Sequence, residues 1–374
     1  MKILFINSVC GIGSTGRIVT GLAEQYMSEG HICKISYGRA VAPDKYDPIS
    51  YRIGTELQVK KNALMARIFD NEAFNARKET KKFIKWANNY DPDVLWLHNL
   101  HGYYMNIDQL FNWIKSRPQM QVYWTLHDCW AFTGHCTYFT VARCNKWEYQ
   151  CGDCPQKTEY PKSCLKDNST TNFQMKMKAF TSVANMTIIT PSKWLADLVK
   201  KSFLKEYPIK VVHNEIDRDV FKPTPGCFRE KHNLVNKYVI LGVANIWGKR
   251  KGLDDFIKLS AMLDDSYRIV LVGLSKKQIK QLPNQIIGIQ RTNSTRELAE
   301  IYTAADVFVN TSKEETFGMT TIEALACGTQ VIVYKDTACE EIVNEYGGIV
   351  VEQNLEQLKD AVLKLLSKNS ENNR

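Results

Sequence analysis

Two carboxylates with seven residues between them, Glu315 and Glu323, bracket the most chemically loaded stretch of the chain: Glu315-Thr316-Phe317-Gly318-Met319-Thr320-Thr321-Ile322-Glu323. A strand-like apolar run, Val307-Phe308-Val309, precedes it. Ile322, Leu325 and Ala326 follow at helical spacing, and Gly328 closes the helix. A small-residue loop therefore leads from the carboxyl end of a strand into a helix N-terminus. There the free backbone N–H groups and the helix dipole attract phosphate. A carboxylate repels phosphate but accepts hydrogen bonds from sugar hydroxyls. Backbone amides from Phe317, Gly318, Met319 and Thr320 for a diphosphate, with acceptors on both sides for two sugars, make the chemistry of a nucleotide-sugar site.

Other stretches carry chemistry too. Gly248-Lys249-Arg250-Lys251-Gly252 follows a buried strand at 237–245 and offers cations to an anionic ligand. Gly11-x-Gly13-x-x-Gly16 after the strand Ile3–Ile6 matches a dinucleotide-binding fingerprint. A nicotinamide cofactor would need an acid at the end of the second strand, His31 to Tyr37, which ends instead in Gly38-Arg39. That speaks against an NAD(P)-dependent oxidoreductase. The strands 93–97 and 121–126 run into His98-Asn99-Leu100-His101 and His127-Asp128, so their polar groups fall at carboxyl strand ends, where open α/β sheets bind ligands.

Buried strands alternate with helices along the whole chain, which predicts an α/β fold. The 374 residues suffice for two such domains. A hydrophobic content of 44% and a charged content of 24% are ordinary for a globular protein. No apolar run reaches transmembrane length, and Met1 to Asn7 reads as a first core strand, so a cytoplasmic location is expected. The net charge of +9 suits an anionic substrate or membrane surface, and no nucleic-acid-binding module is present. Residues 56–88 read as helical, with Lys78, Lys81, Lys82 and Lys85 interleaved with Phe83, Ile84 and Trp86. Such a segment either lies on an anionic membrane or is a core helix with a solvated basic face. Of 11 cysteines, six lie between Cys129 and Cys164 in a long aromatic-rich excursion. The spacing Cys136-x7-Cys144-x6-Cys151-x2-Cys154 admits buried thiols, a structural zinc or disulfides, the last disfavoured in a cytosolic chain.

The run from Glu315 to Glu323, with Thr-Phe-Gly after the first Glu and Glu-Ala-Leu-Ala-Cys-Gly at the second, resembles the Glu-x7-Glu motif of retaining glycosyltransferases of family 4. Asn214-Glu215-Ile216-Asp217 to Phe221-Lys222-Pro223 is similar to the interdomain run of that family, with Glu215 where glycine is usual. The resemblance implies the GT-B fold, two facing Rossmann-like doubly wound domains with a cleft between them. It places an acceptor-binding domain at 1–221 with an insertion at 129–164, and a donor-binding domain at 222–350. Residues 351–374 would form a C-terminal helix and tail crossing back to the first domain. It implies transfer of a hexose, with retention, from a UDP- or GDP-sugar to a glycan or polyprenyl-diphosphate-linked acceptor in cell-surface polysaccharide (O-antigen-type) synthesis. Peripheral contact with the inner face of an anionic membrane would accompany it.

By the same resemblance Glu315, His127 and Lys251 are the catalytic candidates, with Asp128 beside His127. Arg250, Lys251, Gly13, Gly16 and the Phe317–Thr320 loop meet the donor diphosphate, and Glu323 meets the ribose. His98 and His101 are acceptor-side candidates. The arginine usual at the end of the first strand of the donor domain is Asn245 here. No metal or other cofactor is expected, because Lys251 and the loop amides neutralise the leaving diphosphate. The rival from another class is a non-catalytic glycan- or lipid-binding relative.

Overall fold

The computed structural model describes residues 1–372, with side chains through 367. It divides into two compact units, Met1–His213 and Asn214–Arg374. The division falls before Phe221, not at it. Phe221 is buried in the core of the second unit, with Ile216 and Val220 packed beside it, so the 214–221 run belongs to that unit.

The first unit is a seven-stranded parallel sheet: β1 (Lys2–Asn7), β2 (Ile32–Tyr37), β3 (Ser50–Arg52), β4 (Val94–Leu97), β5 (Gln121–Thr125), β6 (Met186–Thr190) and β7 (Ile209–Val211). Their spatial order is β3-β2-β1-β4-β5-β6-β7, so the winding reverses between β1 and β4. Its helices are α1 (Gly13–Ser28), α2 (Glu56–Phe69), α3 (Arg77–Tyr90), α4 (Ile107–Lys115), α5 (Ser169–Phe180) and α6 (Lys193–Val199). Leu4 and Ile6 point to one buried cluster, Ile3 and Phe5 to another on the opposite face of the sheet. That is the two-sided burial of a doubly wound parallel sheet, and it explains why these strands read as continuous apolar runs.

The basic segment 56–88 is two helices. A capping box of Thr55 and Gln58 starts α2, and Asp70 in the left-handed region ends it. Asp70 is 2% exposed. Its carboxylate meets His135 Nδ1 at 2.5 Å and accepts the Asn168 amide at 2.8 Å, and its carbonyl accepts from the Asn172 side chain at 2.6 Å. This clamp onto the 129–168 excursion fixes the break between α2 and α3. On α3, Phe83 and Ala87 are core, whereas Lys78, Lys81, Lys82 and Lys85 are exposed.

The second unit is a six-stranded parallel sheet of β8 (Tyr238–Val243), β9 (Tyr267–Val272), β10 (Ile286–Ile289), β11 (Val307–Asn310), β12 (Val331–Tyr334) and β13 (Ile349–Val351). The order is β10-β9-β8-β11-β12-β13, with the reversal between β8 and β11. Its helices are α7 (Phe228–Lys231), α8 (Leu253–Ser260), α9 (Lys276–Ile279), α10 (Thr295–Ala304), α11 (Met319–Ala326), α12 (Cys339–Tyr346) and α13 (Leu355–Asn372). The apolar stripe of α13, Leu358, Val362 and Leu366, is buried in this unit's own core, against α8, β12 and β13. Asn373 and Arg374 lie outside the described residues. Two doubly wound parallel sheets are thus the architecture the sequence predicts.

Candidate active site

In open parallel sheets, ligands bind at the carboxyl ends of strands where the winding reverses. In the second unit that position belongs to the loops after β8 and β11, which carry Lys249–Gly252 and Thr311–Gly318. The two loops are stitched together. The Thr311 hydroxyl donates to the Lys251 carbonyl at 2.9 Å, the Lys313 amide donates to the Arg250 carbonyl at 2.9 Å, and Arg250 Nη1 donates to the Glu314 carbonyl at 3.2 Å. Gly252 has φ +70°, and a Cβ there would overlap the backbone and side chain of Thr311. Glycine is therefore required both by the left-handed turn and by the close approach.

Across this seam the Lys251 ammonium donates to a Glu315 carboxylate oxygen. Burial alone would raise the Glu315 pKa, but the Lys251 charge and hydrogen bond, then the Arg250 charge and the Thr316 amide, outweigh it and lower it. Arg250 is thus the second cation whose field reaches the corner. Lys249 and Asn245 are exposed. Beyond Glu315, its carbonyl accepts from the Ala338 amide at 3.1 Å, and the chain turns through Gly318 (φ +99°) into α11. Asn310 at the end of β11 donates to the Thr321 hydroxyl at 3.0 Å and so fixes the first turn of α11. Met319 and Thr320 are half-buried on that turn. Glu323 lies one turn further on, held by the Tyr302 hydroxyl at 2.9 Å. Phe317 is 3% exposed and packs with Ile322 and Ile342. Its side chain anchors the loop from beneath.

In the first unit the loops at the reversal follow β1 and β4. Gly13 (φ +65°) opens α1 with free space around it, while a Cβ on Gly16 would press on Val9 and the Gly11 amide. Gly16 is therefore a packing glycine, and Gly13 a conformational one. A Cβ on Gly38, beyond β2, would overlap Tyr104. The β4 and β5 ends bring four polar side chains into two pairs. His98 Nδ1 lies 3.0 Å from His127 Nε2 with the rings stacked, and His101 Nε2 lies 2.9 Å from Asp128 Oδ2. Burial, reinforced by His127, holds the His98 pKa well below its usual value. Burial also lowers His127 to about 4, against the pull of Asp128. The His101 pKa is raised because Asp128 outweighs burial, and Asp128 is lowered because His101 outweighs it. The result is one imidazole pair held toward the neutral form beside a histidine–carboxylate pair that favours the charged forms. Tyr160 completes the second pair, its hydroxyl 3.1 Å from His101 Nδ1. Nothing in the sequence pattern marked Tyr160 or Tyr302, because each reaches its partner across a long stretch of chain.

Residues 227–374 match the family model described as "Glycosyl transferases group 1". The second unit carries a group 1 glycosyltransferase domain. Its Lys251–Glu315 corner and Glu323 all fall within the matched residues. Over nearly the whole chain the protein is 22% identical to a putative colanic acid biosynthesis glycosyl transferase, WcaC, of Escherichia coli, covering 94% of this chain and 88% of that one. It is 27% identical to an N,N'-diacetylbacillosaminyl-diphospho-undecaprenol alpha-1,3-N-acetylgalactosaminyltransferase of Campylobacter jejuni, over 37% of this chain and 38% of the relative. Among solved structures it resembles Anabaena Alr3699/HepE in complex with UDP and glucose, with a TM-score of 0.66 at 16% identity, covering 99% and 91% of the two chains. That likeness shows the fold, which is GT-B.

The depressed histidines give a pH signature. A histidine whose folded pKa lies below its unfolded value of 6.5 takes up its proton more readily in the unfolded chain. Stability from His98 and His127 should therefore be complete above about pH 6.5. It should decline as pH falls toward 4, where folded His127 also protonates. Urea unfolding of wild type and His98→Phe between pH 7 and 4.5 tests this. The variant's stability should fall less steeply with acid, and parallel curves would contradict the assignment.

Proposed function

We propose that the protein transfers a hexose from a nucleoside-diphosphate sugar to a glycan or lipid-linked oligosaccharide, with retained anomeric configuration, in the synthesis of a cell-surface polysaccharide. The observation that carries this reading is the Lys251–Glu315 pair at the point of strand reversal, beside the α11 amides. The solved relative holding UDP and glucose on the same fold supports a nucleotide-sugar donor. The relatives named for colanic acid synthesis and for a diphospho-undecaprenol acceptor support the acceptor class.

In this mechanism Lys251, Arg250 and the amides from Phe317 to Thr320 take the charge that develops on the leaving diphosphate. Glu315, kept ionised by Lys251, accepts a hydrogen bond from a hexose hydroxyl, and Glu323 accepts one from the ribose. Tyr302 holds Glu323 in place for that task. The bond from the anomeric carbon to the diphosphate oxygen breaks, and the acceptor oxygen bonds to that carbon on the same face. The acceptor proton passes to the departing phosphate. His127, neutral above about pH 4, offers a hydrogen bond to the donor sugar without adding charge.

Lys251→Ala should weaken donor and free nucleoside diphosphate alike, by roughly 10- to 100-fold, as for loss of a charged hydrogen bond. Glu315→Ala should lower kcat/KM by about 100-fold or more while sparing nucleoside-diphosphate affinity. Calorimetry with UDP and GDP, beside turnover assays, checks both. Equal loss of nucleoside-diphosphate binding in the two variants would remove the sugar role of Glu315. With diphosphate charge carried by protein groups, turnover should survive brief chelation by EDTA. Abolition by EDTA with rescue by magnesium or manganese would assign that task to a metal.

The exposed face of α3 fits an anionic surface, since each basic side chain near such a membrane contributes about 1 kcal/mol, screened by salt. Wild-type protein should co-sediment with phosphatidylglycerol-containing vesicles at low salt and release at high salt. Reversing Lys78, Lys81, Lys82 and Lys85 to Glu should abolish sedimentation and leave transfer to a short soluble acceptor intact. Failure of the wild type to sediment would make this face a solvated one only.

A further inference from the structure

The excursion between β5 and α5 contains, besides loops, only two short 3-10 turns, Trp130–Phe132 and Lys146–Glu148. A segment of that length cannot order itself by backbone pairing alone. Asp70 clamps one side of it, and the other side closes around a small cavity. Cys136, Cys144, Cys151 and Cys154 line that cavity together with His135 and Trp147. The four cysteines come from three separate turns of chain, yet all face one space.

Three hydrogen bonds converge on these sulfurs. The Cys136 thiol hydrogen-bonds the Cys154 sulfur. The Gly134 amide donates to Cys151 Sγ at 3.2 Å, and a backbone hydrogen bond from Gln156 reaches Cys154. Within Cys151-Gly152-Asp153-Cys154, Asp153 adopts φ +44°, so the chain turns back on itself and brings its two cysteines to the same side. His135 supplies the independent observation. It is 2% exposed, its Nδ1 is fixed by the Asp70 carboxylate, and its Nε2 is buried without a hydrogen-bond partner. A carboxylate holding one imidazole nitrogen while the other is left for a cation is the usual support of a metal-bound histidine.

We propose that this cavity is a structural zinc site, its tetrahedron drawn from Cys136, Cys151 and Cys154, with Cys144 or His135 as the fourth ligand. As the side chains stand, no three His, Cys, Asp or Glu among the described residues are spaced to hold an ion. Zinc–sulfur bonds of about 2.3 Å therefore require the thiols to close inward. All four cysteines line the one cavity into which they would close. Each coordinating thiol gives up its proton to solvent as the metal binds, so occupancy rises with pH. The site's role is positioning. It ties down the excursion that delivers the Tyr160 hydroxyl to the His101–Asp128 pair.

The test uses full-length protein purified under reducing conditions without an immobilised-metal step. Elemental analysis should give about one zinc per chain. Cys136→Ser/Cys151→Ser should lose it, while Cys33→Ser, a buried cysteine elsewhere in the same unit, should keep it. Should the double variant fail to fold, exchange of cobalt into wild type keeps the question open to measurement. A thiolate-to-cobalt charge-transfer band is expected, and its intensity separates four sulfurs from three sulfurs and a nitrogen. The effect of Cys144→Ser against His135→Ala then assigns the fourth ligand. A strong chelator should lower Tm of the wild type and release thiols that titrate only afterwards. Sub-stoichiometric zinc with all cavity thiols freely reactive, or a Cys136–Cys154 disulfide found by peptide mass analysis, overturns the proposal.

Discussion

A charge taken out of water must be paired, and the Lys251–Glu315 pair is where this fold meets that requirement at its most chemically useful point. Glu315 sits on the loop that follows a buried strand, next to Phe317, whose ring packs with Ile322 and Ile342. Without Lys251 its carboxylate would be driven toward protonation by burial, and a protonated acid is a poorer acceptor for a sugar hydroxyl. Without Glu315 the ammonium would face Arg250 at close quarters. Much of the surrounding architecture follows from keeping the pair aligned: the Thr311 and Lys313 stitches, the left-handed Gly252, the Asn310 brace on α11. The strand reversal between β8 and β11 is what makes room for both partners at one sheet edge.

Local patterns in the sequence were enough to reveal much of this. Parallel strands buried on both faces are near-continuous apolar runs, so β1, β4, β5, β8 and β11 announce themselves. The Glu315–Glu323 spacing and the Lys251 turn are short-range features that need no tertiary information. The edge strands β3 and β13 escaped, being three residues each with side chains that, Val351 apart, are only half-buried. The break between α2 and α3 escaped for a different reason. Asp70 ends α2 because its partners lie 65 to 102 residues away, at His135, Asn168 and Asn172, and no local pattern encodes that.

The same distinction sorts the site residues. Phe317 stands in the motif, but only the structure shows that its ring is the apolar foot of the loop, packed with Ile322 and Ile342. Arg250 could be told from Lys249 as the partner of the corner only once the guanidinium was seen against the Glu314 carbonyl. The histidines at the β4 and β5 ends were visible as residue types. Their division into an imidazole–imidazole pair and an imidazole–carboxylate pair depends on which ring faces Asp128, a matter of side-chain packing. The domain division and the course of α13 likewise rest on which core Phe221 and Leu358 join.

The contact between Gly252 and Thr311 has a consequence for how this domain can change over time. Because the turn after β8 and the end of β11 interlock at atomic distance, neither can be exchanged for a segment from a relative without the other. They are separated by nearly sixty positions in the chain yet behave as one inherited cassette. A recombination point between them would join mismatched halves. A laboratory graft meant to alter donor preference has to carry Gly248–Gly252 and Thr311–Gly318 together.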